Sequence, residues 1–393
     1  MNPLLTKRFA ACGVSIPEIL LPAPGIDLSK FAVVACDQHV SDASWWEEAA
    51  RIVGDAPSAL NLILPEAYLE QPDREERIQK INQAMRDYLA QDVLRSVGEG
   101  FLYLHRTIST GVRHGVVLAL DLERYDYTAG AKSLIRATEQ TIPDRLPSRI
   151  RIRENAVLEL PHILVLIDDA DNLFMAPAER ALERLPLCYD FDLMQGSGNI
   201  KGWTLQEETV LEEMARALEE LVRRGEGLLF AMGDGNHSLA AAKAFWEELK
   251  PTLTEEERSA HPARYALCEI VNLHDEAMVF EPIHRVLFQV DRAALEREIG
   301  VTEEKFPPLQ ELHPLLDQYL AAHPETKIDY THGEQTTRRL GGLPGNMPLV
   351  LPSLDKSTFF EIVRKDGAFV RKSFSLGEAP DKRFYLEARR IRP

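Results

Sequence analysis

A glycine-containing turn, Gly233 to His237, carries the residue types best suited to chemistry in this 393-residue chain. Its glycines permit a ligand to approach the backbone closely. Backbone N–H groups at a turn that opens a helix bind phosphate, because a helix amino terminus carries partial positive charge. Asp234 can ligate magnesium, and His237 can contact a phosphate or accept a proton. The predicted phosphate site consists of Gly233, Asp234, Gly235, Asn236, His237 and Ser238.

The flanking sequence predicts the elements that must position this turn. Residues 227–233 are apolar or small and too few for a helix, which favours a buried strand. Apolar residues then recur at helical spacing from 237 to 249. An alternative without a ligand stays open, in which Asp234 or Asn236 is a helix N-cap beside a glycine turn. The turn also lacks the Walker-type spacing of a phosphate loop.

Arginine is concentrated between residues 132 and 161, and guanidinium groups bind phosphates in a bidentate manner. Glu139 is the candidate general base, which takes a proton from the phosphate acceptor. In the alternative interpretation these residues form salt bridges on a solvated helix face. The phosphate hypothesis predicts that at least one arginine lies within reach of the turn, the candidates being Arg136, Arg149, Arg151 and Arg153.

Two further residues, His284 and Arg285, form a polar pair in an apolar context and are candidate ligand contacts. In the alternative interpretation, His284 is a hydrogen-bonded histidine of the apolar core. A metal-dependent hydrolase would need several carboxylates and imidazoles around one ion, and their spacing here matches no known ligand signature. The residues it would gather are Asp37, His39, Asp234, His237 and His284.

Composition excludes some classes of function. The formal net charge of −17 argues against a general nucleic-acid binder. The four cysteines form no C-x-x-C pair, which favours a reducing cytosol over a disulfide framework. No signal peptide or membrane-spanning run is evident. We therefore expect a cytoplasmic protein without a membrane or nucleic-acid partner.

The order of helical and strand patterns predicts a mixed α/β (α+β) protein. We divide it into an N-terminal α/β section (1–125), a predicted nucleotide-binding core with the arginine-rich segment and the turn (126–290), and a smaller C-terminal α+β section (291–393). Among the other predicted elements are a helix over 74–89, a hairpin of 101–105 with 115–122, a helix capped by Thr204 and Glu207, and strands at 59–64 and 359–363.

Three segments together resemble a bacterial family known only as domain of unknown function 1015: residues 136–141 (RATEQT), 233–237 (GDGNH) and 282–285 (PIHR). Many members carry Asp-Gly-His-His-Arg at the turn, which is similar to the phosphate-binding box of the ParB and sulfiredoxin-like fold. The resemblance implies a nucleotide-binding core of that fold. This chain departs from the box at Asn236 and Ser238, and the latter replaces a phosphate-facing arginine.

These observations and the resemblance favour a nucleotide-dependent phosphotransferase, kinase or nucleotide hydrolase that uses Mg²⁺ with a nucleoside triphosphate or diphosphate. Phosphoryl transfer depends mainly on positioning and charge neutralisation, which the turn and the arginines would supply. A nucleotide-sensing or protein-interaction module without turnover is the alternative, and Ser238 in place of arginine favours it. The metal-dependent hydrolase is the third hypothesis.

Overall fold

The computed structural model describes residues 2–35, 43–128 and 130–392. Its helices are α1 (Pro3–Ala11), α2 (Leu28–Phe31), α3 (Ala43–Val53), α4 (Arg74–Ala90), α5 (Leu146–Arg153), α6 (Ala176–Ala181), α7 (Glu208–Arg224), α8 (Asn236–Leu249), α9 (Glu255–Ala260), α10 (Arg292–Ile299), α11 (Leu309–Ala322), α12 (Glu334–Gly341) and α13 (Lys356–Asp366).

Its strands are β1 (Val14–Ser15), β2 (Glu18–Pro22), β3 (Val33–Val34), β4 (Leu94–Glu99), β5 (Phe101–Ile108), β6 (Gly111–Asp121), β7 (Tyr125–Asp126), β8 (Ile135–Arg136), β9 (Leu158–Glu159), β10 (Leu164–Ile167), β11 (Leu187–Asp192), β12 (Asn199–Leu205), β13 (Phe230–Asp234), β14 (Tyr265–Asn272), β15 (Phe280–Phe288), β16 (Lys327–His332), β17 (Met347–Leu349), β18 (Phe374–Leu376), β19 (Phe384–Tyr385) and β20 (Arg389–Arg390).

The chain folds as two units. The first comprises Met1–Met278 together with Glu378–Pro393, and the second comprises Val279–Gly377. The last residues of the chain thus belong with the first unit, although the whole second unit precedes them in sequence. The predicted class, a mixed α+β protein, is confirmed. The three-section division at 125 and 290 stays a prediction, and so does the ParB and sulfiredoxin-like core.

A large mixed sheet organises the first unit. Its strands lie in the order β11-β12-β5-β6-β14-β10-β13-β8-β7, and β1 pairs with β6. Parallel pairing occurs between β10 and β14 and along β13, β8 and β7, whereas the other pairs in this sheet are antiparallel. The strand β13, which leads to the turn, therefore has a neighbour on each side.

The two faces of this sheet are covered by two separate apolar cores. Successive side chains of a strand point to opposite faces. On β5, Phe101 and Tyr103 pack with residues of α1, α7 and α8, whereas Leu102 and Leu104 pack with residues of α3 and α4. The apolar run of β13 follows from this arrangement, because a strand that is covered on both faces does not alternate between apolar and polar residues.

The last residues of the chain return to the first unit and pair there. β19 pairs with β3 and β20 pairs with β9, both antiparallel. Arg389 donates to Glu159 Oε1 from Nε at 3.0 Å and from Nη2 at 2.7 Å, and both side chains are buried. This return places residues of the chain's end beside residues more than two hundred positions earlier.

The second unit is built around β15, which pairs antiparallel with β16, β17 and β18. Its separate core includes Leu287 of β15, Leu295 of α10, Leu312 of α11 and Leu349 of β17. The helix predicted over 309–322 is confirmed in α11.

Several predicted elements are confirmed, among them the helix α4, the hairpin β5–β6 and the helix that follows the glycine turn. Three are wrong. Residues 59–62 form a 3₁₀ helix instead of a strand. Thr204 lies in β12, a strand that pairs with β11 on one side and β5 on the other, and α7 begins only at Glu208. Residues 359–363 lie in α13, which Asp355 caps by accepting from Ser357 N at 2.9 Å.

The contact between Arg389 and Glu159 generates a stability prediction. Arg389→Met should lower the free energy of unfolding by about 3–5 kcal/mol, because it leaves a buried carboxylate with less compensation. Urea unfolding followed by tryptophan fluorescence measures this, since all four tryptophans, at 45, 46, 203 and 246, belong to the first unit.

Arg180→Met is the matched control, because the ion pair of Arg180 with Glu213 is exposed. It should change the free energy by less than about 1 kcal/mol. Equal effects of the two substitutions would show that the chain's end is not anchored by Arg389.

Candidate functional site

The turn after β13 is stabilised by a glycine in a left-handed conformation. Gly235 has φ +83° and is the N-cap residue of α8. A Cβ at this position would also lie 3.3 Å from Ile163 Cα, so both the backbone angle and the space favour glycine. Residues Gly233 to Ser238 are half-exposed, whereas Met232 before them and Leu239 after them are buried. The turn therefore lies at the surface end of a buried strand and a buried helix face.

Asp234 forms the ionic centre of this turn. Its Oδ1 accepts from Gly235 N at 2.8 Å, and its Oδ2 accepts from Lys382 Nζ at 3.1 Å. The lysine side chain is 6% exposed and the aspartate side chain 28% exposed. Burial favours a raised pKa for Asp234, but Lys382, His162 and the Gly235 N–H outweigh it and hold the pKa below its usual value. Asp234 is therefore an anion held by a buried cation.

The segment that follows β8 covers the first turn of α8. Thr138 N donates to Asn236 Oδ1 at 3.2 Å, and Thr138 Oγ1 donates to the Met232 carbonyl at 2.7 Å. Ile142 N donates to His237 Nε2 at 3.3 Å. Neutral His237 in this arrangement carries its proton on Nδ1. Nε2 thus already accepts a hydrogen bond, and the role of His237 in phosphate contact or proton transfer stays a prediction.

A third contact joins Ser238 to His162, which precedes β10. Ser238 Oγ lies 3.2 Å from His162 Nε2, and His162 Nδ1 lies 2.7 Å from the Tyr385 hydroxyl. The rings of His162 and Tyr385 meet edge to face, with centroids 5.1 Å apart. Two residues of the chain's end, Lys382 and Tyr385, thus contact the predicted turn or its neighbour.

The predicted arginines have other described partners. Arg136 donates to the carbonyls of Ser133 and Gly227. Gly227 precedes β13, whereas the turn follows that strand. The helix α5 does pack against α8. Its arginines, however, pair with carboxylates: Arg149 with Glu66, Arg151 with Glu75 and Glu154, and Arg153 with Glu159. The expectation that an arginine lies within reach of the turn stays a prediction, whereas Lys382 does contact Asp234 there.

The remaining predicted residues fall in different places. Glu139 is half-exposed and lies in the segment between Thr138 and Ile142, and its role as a base stays a prediction. His284 is buried on β15 in the second unit, where its Nδ1 accepts from Leu351 N at 3.0 Å. Arg285 is also buried there and donates to the carbonyls of Ile283 and Arg371. Burial lowers the pKa of His284, as expected for a core histidine.

Two candidate metal ligands, Asp37 and His39, lie outside the described residues. Within the described ranges, no group of three or more His, Cys, Asp or Glu residues could hold a metal ion. Across the same ranges, no helix is long and apolar enough to cross a membrane.

Sequence reasoning missed His162, Lys382 and Tyr385. His162 follows a proline just before a clear strand, and nothing in this local pattern indicates a functional side chain. Lys382 and Arg383 form a basic pair in an acidic chain. That pair was the available signal, but nothing in the local pattern indicates that it returns to Asp234, 148 positions earlier.

Comparisons with known proteins identify a family but no activity. The family described as "Protein of unknown function (DUF1015)" matches residues 20–356. No curated protein matches the chain. Among solved structures, a conserved hypothetical protein from Pyrococcus furiosus aligns with 11% identity and a TM-score of 0.34, covering 66% of this chain and 89% of that one.

The pair of Asp234 and Lys382 generates a prediction about pH. Lys382→Met should raise the pKa of Asp234 and lower the free energy of unfolding by about 1.5–3 kcal/mol at pH 7, the cost of losing a charged hydrogen bond. A carboxylate with a depressed pKa stabilises the folded state above its unfolded pKa of about 3.9, and this contribution is lost as the pH falls through the folded pKa. The difference between wild type and variant should therefore shrink on acidification.

Urea unfolding between pH 3 and 7, interpreted with a double-mutant cycle, measures the effect. Asp234→Asn is the second single variant, since asparagine does not titrate. The coupling energy between positions 234 and 382 should be largest near neutral pH and fall in acid. A coupling energy that does not change with pH would show that the contact is not ionic.

Proposed function

The chain belongs to this family of proteins of unknown function, and we propose that it is a nucleotide-dependent phosphotransferase, kinase or nucleotide hydrolase whose phosphate site is the amino end of α8. One observation carries the proposal: a buried lysine, Lys382, lies against Asp234 at a half-exposed glycine turn that opens a fourteen-residue helix. Buried charges are costly to maintain without a counter-charge. Titratable groups with a perturbed pKa, as Asp234 has, cluster at functional sites.

The proposed phosphate position is set by three groups of donors. The amino end of α8 supplies N–H groups and the positive end of the helix dipole. Many family members have an arginine where this chain has Ser238. In this proposal, Lys382 supplies the positive charge that such an arginine would supply. His237, on the first turn of α8, is the third proposed phosphate contact. In an acidic chain of net charge −17, such a local concentration of donors is what an anionic ligand requires.

In this proposal Asp234 positions Lys382, and phosphoryl transfer follows from positioning and charge neutralisation. Glu139 remains the proposed base for the proton of the phosphate acceptor, because it lies in the segment that covers the first turn of α8. The resemblance of the turn to the ParB and sulfiredoxin-like box supports the same assignment. Arg136, Arg149 and Arg153 are not needed for it, since their described partners already neutralise or bind them.

The described residues do not build a magnesium site of their own. Both oxygens of Asp234 already accept hydrogen bonds, one of them from an ammonium group that repels a second cation. Magnesium is usually held by one or two carboxylates together with phosphate oxygens. In this proposal the ion therefore enters on the phosphates of the nucleotide, where it would neutralise their charge, and no step depends on a metal ligand of the chain.

A nucleotide-sensing module without turnover is the second candidate. Its support is the departure from the family's box at Ser238 and the engagement of the Asp234 carboxylate by Lys382. The metal-dependent hydrolase has less support, because Nδ1 of His284 already accepts a hydrogen bond from Leu351 N.

Nucleotide binding provides the test. Calorimetry with ATP, ADP, CTP and GTP, each with magnesium, should find at least one ligand for the wild-type chain. Lys382→Met and His237→Ala should each weaken its binding about ten- to a hundredfold, the equivalent of losing a charge-assisted hydrogen bond. Release of nucleoside diphosphate or phosphate would distinguish an enzyme from a sensor.

Lys243→Met is the matched control. It removes a lysine from α8, where Lys243 pairs with Glu247 one turn further on. The affinity of this variant for the nucleotide should equal that of the wild type. Should Lys382→Met bind nucleotide as tightly as Lys243→Met while remaining folded, the proposed phosphate position is wrong.

A further inference from the structure

Ser238, His162 and Tyr385 form a chain of hydrogen-bonding groups that the phosphate site alone does not require. The serine oxygen lies 3.2 Å from one imidazole nitrogen, and the tyrosine hydroxyl lies 2.7 Å from the other. Nucleophilic enzymes share this pattern: a hydroxyl, a base within hydrogen-bonding reach, and a third group that orients the base. The three residues come from α8, the segment before β10, and β19.

The hydroxyl of Ser238 has an unusual direction for its position. A serine in the first turn of a helix commonly bonds to the backbone of its own turn. Ser238 instead lies against a side chain 76 positions away. Its own N–H donates to the Gly235 carbonyl at 3.0 Å. The hydroxyl therefore serves a contact with His162 instead of capping α8.

The surroundings favour an anionic substrate for this hydroxyl. Ser238 is four residues from Asp234, which Lys382 contacts. A serine beside a buried lysine and a helix amino end is suited to attack at a phosphorus atom, whose oxygens these groups would hold.

We propose that Ser238 is a nucleophile that accepts a phosphoryl group from the bound nucleotide, with His162 as its general base and Tyr385 as a positioning residue. This inference rests on the proposed function, since it names the acceptor at that same site. Tyr385 orients the imidazole by accepting from Nδ1–H, which leaves the lone pair of Nε2 directed at Ser238 Oγ.

The proposed step balances as follows. Ser238 Oγ forms a bond to the terminal phosphorus of a nucleoside triphosphate, and its hydroxyl proton passes to His162 Nε2. The bond between that phosphorus and the bridging oxygen breaks, and the nucleoside diphosphate leaves with the electron pair. A water molecule or another hydroxyl, the final acceptor, then attacks the phosphoserine and gives its proton to Glu139. The Oγ–P bond breaks, and Oγ regains a proton from His162.

Acid-quenched samples of the full chain with ATP and magnesium, analysed by peptide mass spectrometry, test this directly. The wild-type peptide should carry one phosphoryl group on Ser238. Ser238→Ala should bind ATP within about twofold of wild type but lose turnover by at least about a hundredfold, and His162→Gln should slow phosphorylation by a similar factor. Tyr385→Phe should lower kcat and leave the affinity for ATP unchanged, because it removes only the orienting hydroxyl.

Ser259→Ala is the matched control, since Ser259 is an exposed helical serine whose hydroxyl bonds to the Glu256 carbonyl. It should behave as wild type. ATP binding without a phosphoryl group on Ser238, or turnover in Ser238→Ala within about twofold of wild type, would overturn this inference and leave the phosphate site standing. A wild-type chain that binds none of the nucleotides would overturn both.

Discussion

A buried ion pair, Arg383 with Glu269, holds the end of the chain in the core of the first unit. The guanidinium Nε lies 2.8 Å from the carboxylate, and the two side chains are 1% and 0% exposed. Arg383 also donates to Glu387 at 2.7 Å, and Glu387 accepts from Tyr189 at 2.5 Å. Such pairs add little net stability, but a buried charge without its partner is strongly unfavourable. The segment can therefore occupy few other positions.

This constraint explains how the candidate site is assembled. Lys382 and Tyr385 flank Arg383 within three residues, so fixing Arg383 places both of them. Lys382 then meets Asp234 at the end of β13, and Tyr385 meets His162 before β10. The strands β13 and β10 are antiparallel neighbours, with Asp234 in register with Leu164. The sheet thus provides the turn and the histidine, while the end of the chain provides the cation and the tyrosine.

Local patterns were sufficient to predict the strand, the glycine turn and the helix, because each depends on residues close in sequence. The partners of Asp234 could not be predicted in this way. Arg149 and Arg153 were among the predicted cations, but they pair with the carboxylates of Glu66 and Glu159. Lys382 is 148 positions away, and only the return of the chain's end brings it there.

The central claim is that the end of the chain completes a phosphate site at the start of α8. A crystal structure of the full chain with a non-hydrolysable nucleoside triphosphate and magnesium tests it most directly. Our account predicts phosphate oxygens within hydrogen-bonding distance of Lys382 Nζ and of the first backbone N–H groups of α8. An ordered nucleotide whose phosphates lie elsewhere, with the contact between Lys382 and Asp234 unchanged, would contradict it.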